Sequence, residues 1–166
     1  MRQRLKRRVL TGLVLAGAMA ASGCGAPAID VARSIAIGNL TTGWFDAGIV
    51  GGKNKLVPSA SFTVTNNSAH TLSGLQVFSV FRFVGDQEEL GSSLIVLRGV
   101  DALEPSATSK PVTVRANWGY TGEQPRAQML MHGEFRDARV EIFAKWGSGP
   151  FVKLTEAHIE RQLLTQ

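Results

Sequence analysis

From residue 59 onward, apolar and polar side chains alternate with a period of two, and no long 3.6-period segment interrupts them. Ala60, Phe62 and Val64 face one way while Ser59, Ser61, Thr63 and Thr65 face the other, which predicts a half-buried strand. Asn66-Asn67-Ser68 ends it as a turn. Leu75–Val84 is apolar on both faces apart from Gln76, Ser79 and Arg82, the pattern of a central strand covered on both sides. A hydrophilic loop, Gly85–Glu89, leads to a short strand over Ser93–Leu97. Leu103-Glu104-Pro105-Ser106-Ala107 breaks the pattern, and Val112, Val114 and Ala116 resume it. The cleanest alternation is Ala138, Val140, Ile142 and Ala144 against Arg139, Glu141, Phe143 and Lys145. Gly147–Pro150 turns the chain into a strand at Phe151–Thr155, and the tail Ala157–Leu163 is expected to be extended. Gly119–Met131 is the least regular stretch and reads as a long crossing loop. A first edge strand is expected near Val31–Ile37, at the end of a small, polar tether. Seven or eight strands with turn signals every 8–12 residues predict an all-β antiparallel β-sandwich.

The first 24 residues follow a different rule. MRQRLKRR is basic, and Val9–Ala21 then runs 13 residues without charge, too short for a comfortable membrane span of about 20 residues. Ala21-Ser22-Gly23 and Cys24 follow. In that order these parts resemble bacterial lipoprotein precursors, whose lipobox ends in a small residue before an acylated Cys. Ala21 stands where that family usually has Leu. The resemblance implies cleavage before Cys24, acylation of its thiol and amine (palmitate-type chains), and a lipid anchor in the cell envelope. Gly25 is not Asp, which in Gram-negative relatives of this kind implies the outer membrane. Arg7-Arg8 alone is weak support for twin-arginine export.

Charge and cysteine content sharpen this picture. The formal charge is +5, but five of the 18 basic residues lie in the first eight positions. From Cys24 onward 13 basic residues face 13 acidic ones, so the exported body lacks the basic stripe that nucleic-acid binding requires. Cys24 is the only cysteine, so the body has no internal disulfide, thiolate metal site or redox pair. The expected organisation is a signal peptide over 1–23, a lipidated tether over 24–43 and a sandwich over 44–166.

A second resemblance covers about Leu56–Asn117. Val-Thr-Asn-Asn-Ser at a strand end, a long apolar strand and a later Leu-x-Pro-Ser turn resemble bacterial immunoglobulin-like envelope domains, with Ser106 at the usual Gly position. This implies an immunoglobulin-like fold. The blocks Gly43–Gly48 and Ile159–Leu163 resemble uncharacterised lipoproteins of environmental bacteria, which implies no activity.

Few residues point to chemistry. His70, His132 and His158 lie apart, without metal-ligand spacing. No G-x-S-x-G or S-x-x-K is present, so no hydrolase is expected. Asp86, Glu88 and Glu89, with Asp101 or Glu104, could gather carboxylates for calcium, but EF-hand spacing is absent and a solvated loop is expected. Gly51-Gly52-Lys53-Asn54-Lys55 lacks the phosphate-loop pattern and reads as a turn. Trp44, Phe45, Trp118, Tyr120 and Trp146 lie near loops. Trp118, Tyr120 and Trp146 each adjoin a Gly at a strand end and would share one rim if those ends cluster, offering a ligand or partner contact. The expectation is a non-catalytic binding or structural lipoprotein without cofactor. It would be membrane-bound through Cys24 and joined to an envelope partner; the alternative is a glycan or small-molecule binder using those aromatics.

Overall fold

A computed structural model describes residues 29–164. The chain forms an all-β sandwich of two sheets. A short helix, α1 (Val31–Ser34), is capped by Asp30 and leads into β1 (Ile35–Val50). Then follow β2 (Lys53–Asn66), β3 (Leu75–Phe83), β4 (Glu89–Leu97), β5 (Val112–Arg115), β6 (Tyr120–Gly122), α2 (Arg126–Met131), β7 (Ala138–Lys145), β8 (Val152–His158) and β9 (Leu163–Leu164). One sheet has the order β5-β2-β1-β9, with β6 also paired to β2; the other has the order β4-β3-β7-β8. All pairings are antiparallel except β1 with β9.

The periodicity puts the expected residues inside. Ala60, Phe62 and Val64 on β2 meet Val77 and Phe81 on β3 and Val140, Ile142 and Ala144 on β7 in one core. β3 is central in its sheet, between β4 and β7, but only its inner face (Leu75, Val77, Ser79 and Phe81) is buried throughout. Gln76, Phe78 and Arg82 on the outer face are half-buried, so the expected cover on both faces is not present. Gly51 and Gly52 close the β1–β2 hairpin with positive φ at both positions, the conformation a two-residue primed turn demands. The tail is extended, and Gln162 joins it to β1 through its main-chain oxygen, which accepts from the Trp44 N–H at 2.8 Å.

Two segments differ from expectation. Residues 31–34 are a helical turn rather than strand, and 35–43, read as tether, form the first half of the 16-residue β1. β1 hid because it shifts register at Gly38/Thr41 and again at Asp46/Ile49. Each irregularity resets which face successive side chains meet, so Thr42, Gly43 and Trp44 are buried consecutively and no period of two survives. Gly119–Met131 is no plain loop: it holds β6 and α2. Gly119 is required there, since a Cβ would come within 2.0 Å of the Leu56 carbonyl oxygen.

The strand register defines two poles. α1, the 67–74 loop, the 98–107 segment and the β7–β8 turn lie at the near pole, where the described chain begins. The β1–β2 turn, the 84–88 loop, residues 117–137 and the 159–162 segment lie at the far pole. Gln76↔Lys145 and Phe83↔Ala138 mark the two ends of β3–β7, seven residue steps or about 23 Å apart.

Candidate functional site

Cys24 lies outside the described residues. The three aromatics expected at one rim do not gather. Trp146 is at the near pole, where its indole N–H donates to the Ser73 carbonyl at 3.1 Å. Trp118 and Tyr120 are at the far pole. Only Trp118 is free of the core, 69% exposed, with the Lys55 ammonium 5.7 Å from its ring centre. Trp44 is fully buried on β1, and Phe45 lies on the outer face beneath the Arg115 guanidinium, 3.4 Å from the ring centre.

Tyr120 turns inward and organises the far pole. Its ring stacks on Phe135 at 4.4 Å and lies 5.6 Å from Trp44 and 5.8 Å from Phe83. Phe135 meets Trp44 edge-on at 4.7 Å. Rings at these spacings gain attraction beyond their buried area, so four side chains from β1, β3, β6 and the segment before β7 act as one plug. Two cations cover it: Arg136 lies 4.2 Å from the Phe83 ring centre and Arg161 lies 5.1 Å from that of Phe135. The Tyr120 hydroxyl accepts from the Arg136 backbone N–H at 2.5 Å.

Three aspartates hold the arginines of this pole. Asp46 pairs with Arg126 at 2.5 Å, Asp86 with Arg136 at 3.2 Å and Asp137 with Arg161 at 2.7 Å. Each carboxyl sits below its ordinary value: Asp46 through Arg126, Asp86 through the Glu88 backbone N–H and then Arg136, and Asp137 through Arg161. Asp86 therefore answers an arginine. Among the described residues, no three His, Cys, Asp or Glu side chains are placed to hold a metal ion.

Around the plug the surface is uneven and apolar in places. A hollow of about 230 Å³ opens beside Tyr120, Met129, His132, Glu134 and Phe135. A second, about 250 Å³, lies beside Trp118, between Glu88, Glu89 and Arg136. Trp118, Met131, Ile49 and Val50 are all exposed at this pole. Sequence reading missed the last three. The apolar pair before Gly51-Gly52 was a usable signal, because a primed hairpin turn carries its flanking residues out to the tip.

The near pole is closed without rings. Asn66 is fully buried, and its side-chain amide donates to the carbonyls of His70 (2.8 Å), Leu103 (2.9 Å) and Glu104 (3.1 Å). Its side-chain oxygen accepts from the backbone and hydroxyl of Ser68. Its main chain bonds Ser106 and Ala107. The Asn-x-Ser strand end and the Leu-x-Pro-Ser turn are thus one hydrogen-bonded unit.

Between the poles, the outer face of β3-β7-β8 carries an ion network. Glu141 pairs with Arg82 and with Lys153 at 2.7 Å, and Glu156 pairs with Lys153 and with Arg139 at 3.0 Å. Both carboxyls are held low, in each case chiefly by Lys153.

The structure thus defines a class, the two-sheet all-β sandwich. Against known proteins, no family model and no curated sequence matches this chain. Among the described residues, no helix is long and apolar enough to cross a membrane.

Proposed function

We propose that this chain is a membrane-anchored envelope lipoprotein whose immunoglobulin-like sandwich acts as a non-catalytic binding or structural module. One observation carries the anchor: basic run, 13-residue apolar run, small-residue box and Cys24 occur in working order. The strand order supports the immunoglobulin-like reading, since β4-β3-β7-β8 against β1, β2 and β5 is a Greek-key division of strands. Acylation of Cys24 would hold the body outside the cytoplasm, at the outer membrane in a Gram-negative cell.

The far pole is the proposed contact surface for an envelope protein partner. What supports it is exposed Trp118, Met131, Ile49 and Val50 around a rigid aromatic plug. Apolar side chains kept in water on a stiff frame are the usual makings of a protein contact.

Cys24→Ser tests the anchor: the variant moves from the membrane to the soluble fraction and loses palmitate labelling. Retention in the membrane would refute it. Crosslinking and co-purification from native membranes tests the contact. Trp118→Ala leaves folding stability within about 0.5 kcal/mol of the parent, because the ring is largely exposed, yet it loses the crosslinked partner. Unchanged capture by Trp118→Ala combined with Met131→Ala removes the far pole from consideration.

A further inference from the structure

We propose that the near pole is a membrane-contact surface that rests on an anionic bilayer and points the far pole away from it. The inference depends on acylation of Cys24. Its partner is the phospholipid leaflet holding those acyl chains, and three features of the body specify it.

The first is reach. The described chain begins at Ile29, beside α1 at the near pole, five residues after Cys24. Five residues span at most about 17 Å. The body is about 23 Å long between the marked ends of β3 alone. An anchor on so short a lead keeps the near pole close to the headgroups.

The second is the surface that this reach brings down. Val100 stands fully exposed on the 3-10 turn Gly99–Asp101, and Phe151 is exposed at the β7–β8 turn. Trp146 is half-buried beside Ser73 in the same region, with its polar edge satisfied. An indole with a bonded N–H, a phenyl ring and an aliphatic tip suit the boundary between headgroup and acyl region.

The third is charge. Residues 46–56, 84–89, 118–137 and 159–164, at the far pole, hold eight acidic and five basic side chains. Residues 29–35, 66–76, 97–111 and 144–152, at the near pole, hold three acidic and four basic ones. Of these four, Arg33 is paired with Asp30, whereas Arg98, Lys110 and Lys145 make no ion pair with any described residue. A net-neutral body is therefore polar along its long axis. An anionic surface attracts the near pole and repels the far one over roughly a Debye length of 8–10 Å.

The tryptophans make the orientation measurable. Mature, acylated protein is reconstituted into phosphatidylethanolamine–phosphatidylglycerol vesicles whose acyl chains are brominated just below the headgroups. Trp118→Phe leaves Trp146 as the surface reporter, and Trp146→Phe leaves Trp118; Trp44 is buried in both. A third variant adds Val100→Trp to both replacements and places the reporter on an exposed tip. We expect loss of most emission from Trp146 and from the reporter at position 100, with Trp118 unchanged. Quenching of Trp118 equal to that of Trp146, or quenching of neither near-pole reporter in protein that floats with the vesicles, overturns the orientation and leaves the anchor intact. Protein that does not float, or lacks acyl mass on Cys24, overturns the anchor reading and this inference with it. Combining Arg98→Glu with Lys145→Glu lowers near-pole quenching while flotation persists. Unaltered quenching would overturn the electrostatic part.

Discussion

At the near pole, the neutral amide of Asn66 bonds three carbonyls and gathers the strand end of β2 with the Leu103–Ala107 turn. At the far pole, Trp44, Phe83, Tyr120 and Phe135 form a plug of rings, and three Asp–Arg pairs hold the irregular 118–137 segment around it. One closure is directional and uncharged, whereas the other combines non-directional area with charge. The difference teaches that a sandwich can be sealed by either currency of interaction. The two ends should therefore fail differently. Removing Phe135, nearly buried at the centre of the plug, takes away both area and ring contacts. Phe135→Ala should cost about 4 kcal/mol of unfolding free energy in urea titration. Asn66→Ala should cost about 3 kcal/mol, since it strands buried carbonyls and the Ser68 donors together. Asn66→Leu should do no better, because filling the volume does not satisfy a carbonyl. A loss below about 1 kcal/mol for Asn66→Ala would show that packing, not the amide, closes the near pole.

Acid separates the poles more selectively. Asp46, Asp86 and Asp137 all lie at the far pole with carboxyls depressed below the ordinary 3.8. A group whose folded-state pKa is depressed contributes stability above its unfolded value and loses it as pH falls through the folded one. The three pairs are therefore intact above pH 3.8 and weaken progressively below it. Glu141 and Glu156, also held low from 4.5, titrate nearby in pH, so a global melting curve mixes the network with the pole. Hydrogen exchange resolves them. Corrected for intrinsic chemistry, protection of residues 123–137 should drop below pH 4 while that of residues 66–74 holds. Parallel loss at both poles would erase the distinction.

How much of this was legible follows the same division. β7 was readable because its side chains keep an unbroken period of two, β2 because Ala60, Phe62 and Val64 alternate with polar residues, and β3 because of its long apolar run. β1 was not, because its register shifts twice and the polar Thr42 is buried as a hub, donating to the His158 carbonyl and accepting from the Glu160 N–H. The far-pole plug was half legible: Trp44 and Tyr120 drew attention as aromatics near loops. Their inward orientation depends on Phe83 and Phe135, which approach from distant parts of the chain. Trp146 was misplaced for a related reason, since adjacency to a glycine says that a strand ends but not at which pole. The lipobox-like run Ala21–Cys24 rests on sequence resemblance alone and lies outside the described residues.

The smallest expected effect tests the near pole at its one strained point. Ser106 has φ +63° in the turn where the Glu104 carbonyl accepts from the Ala107 N–H, with Pro105 before it. Left-handed backbone brings a Cβ close to the neighbouring carbonyl, and glycine relieves this at the cost of extra freedom in the unfolded chain. The two nearly offset, so Ser106→Gly should stabilise by about 0.5 kcal/mol. The Ser106 N–H donation to the Asn66 carbonyl, 2.8 Å, should survive the change because it needs no side chain. In an Asn66→Ala background, the gain should shrink: with the amide hub gone, the turn can relax its φ and the strain is already released. A gain that is the same in both backgrounds would mean that Asn66 and the Pro105-Ser106 turn are independent supports rather than one unit.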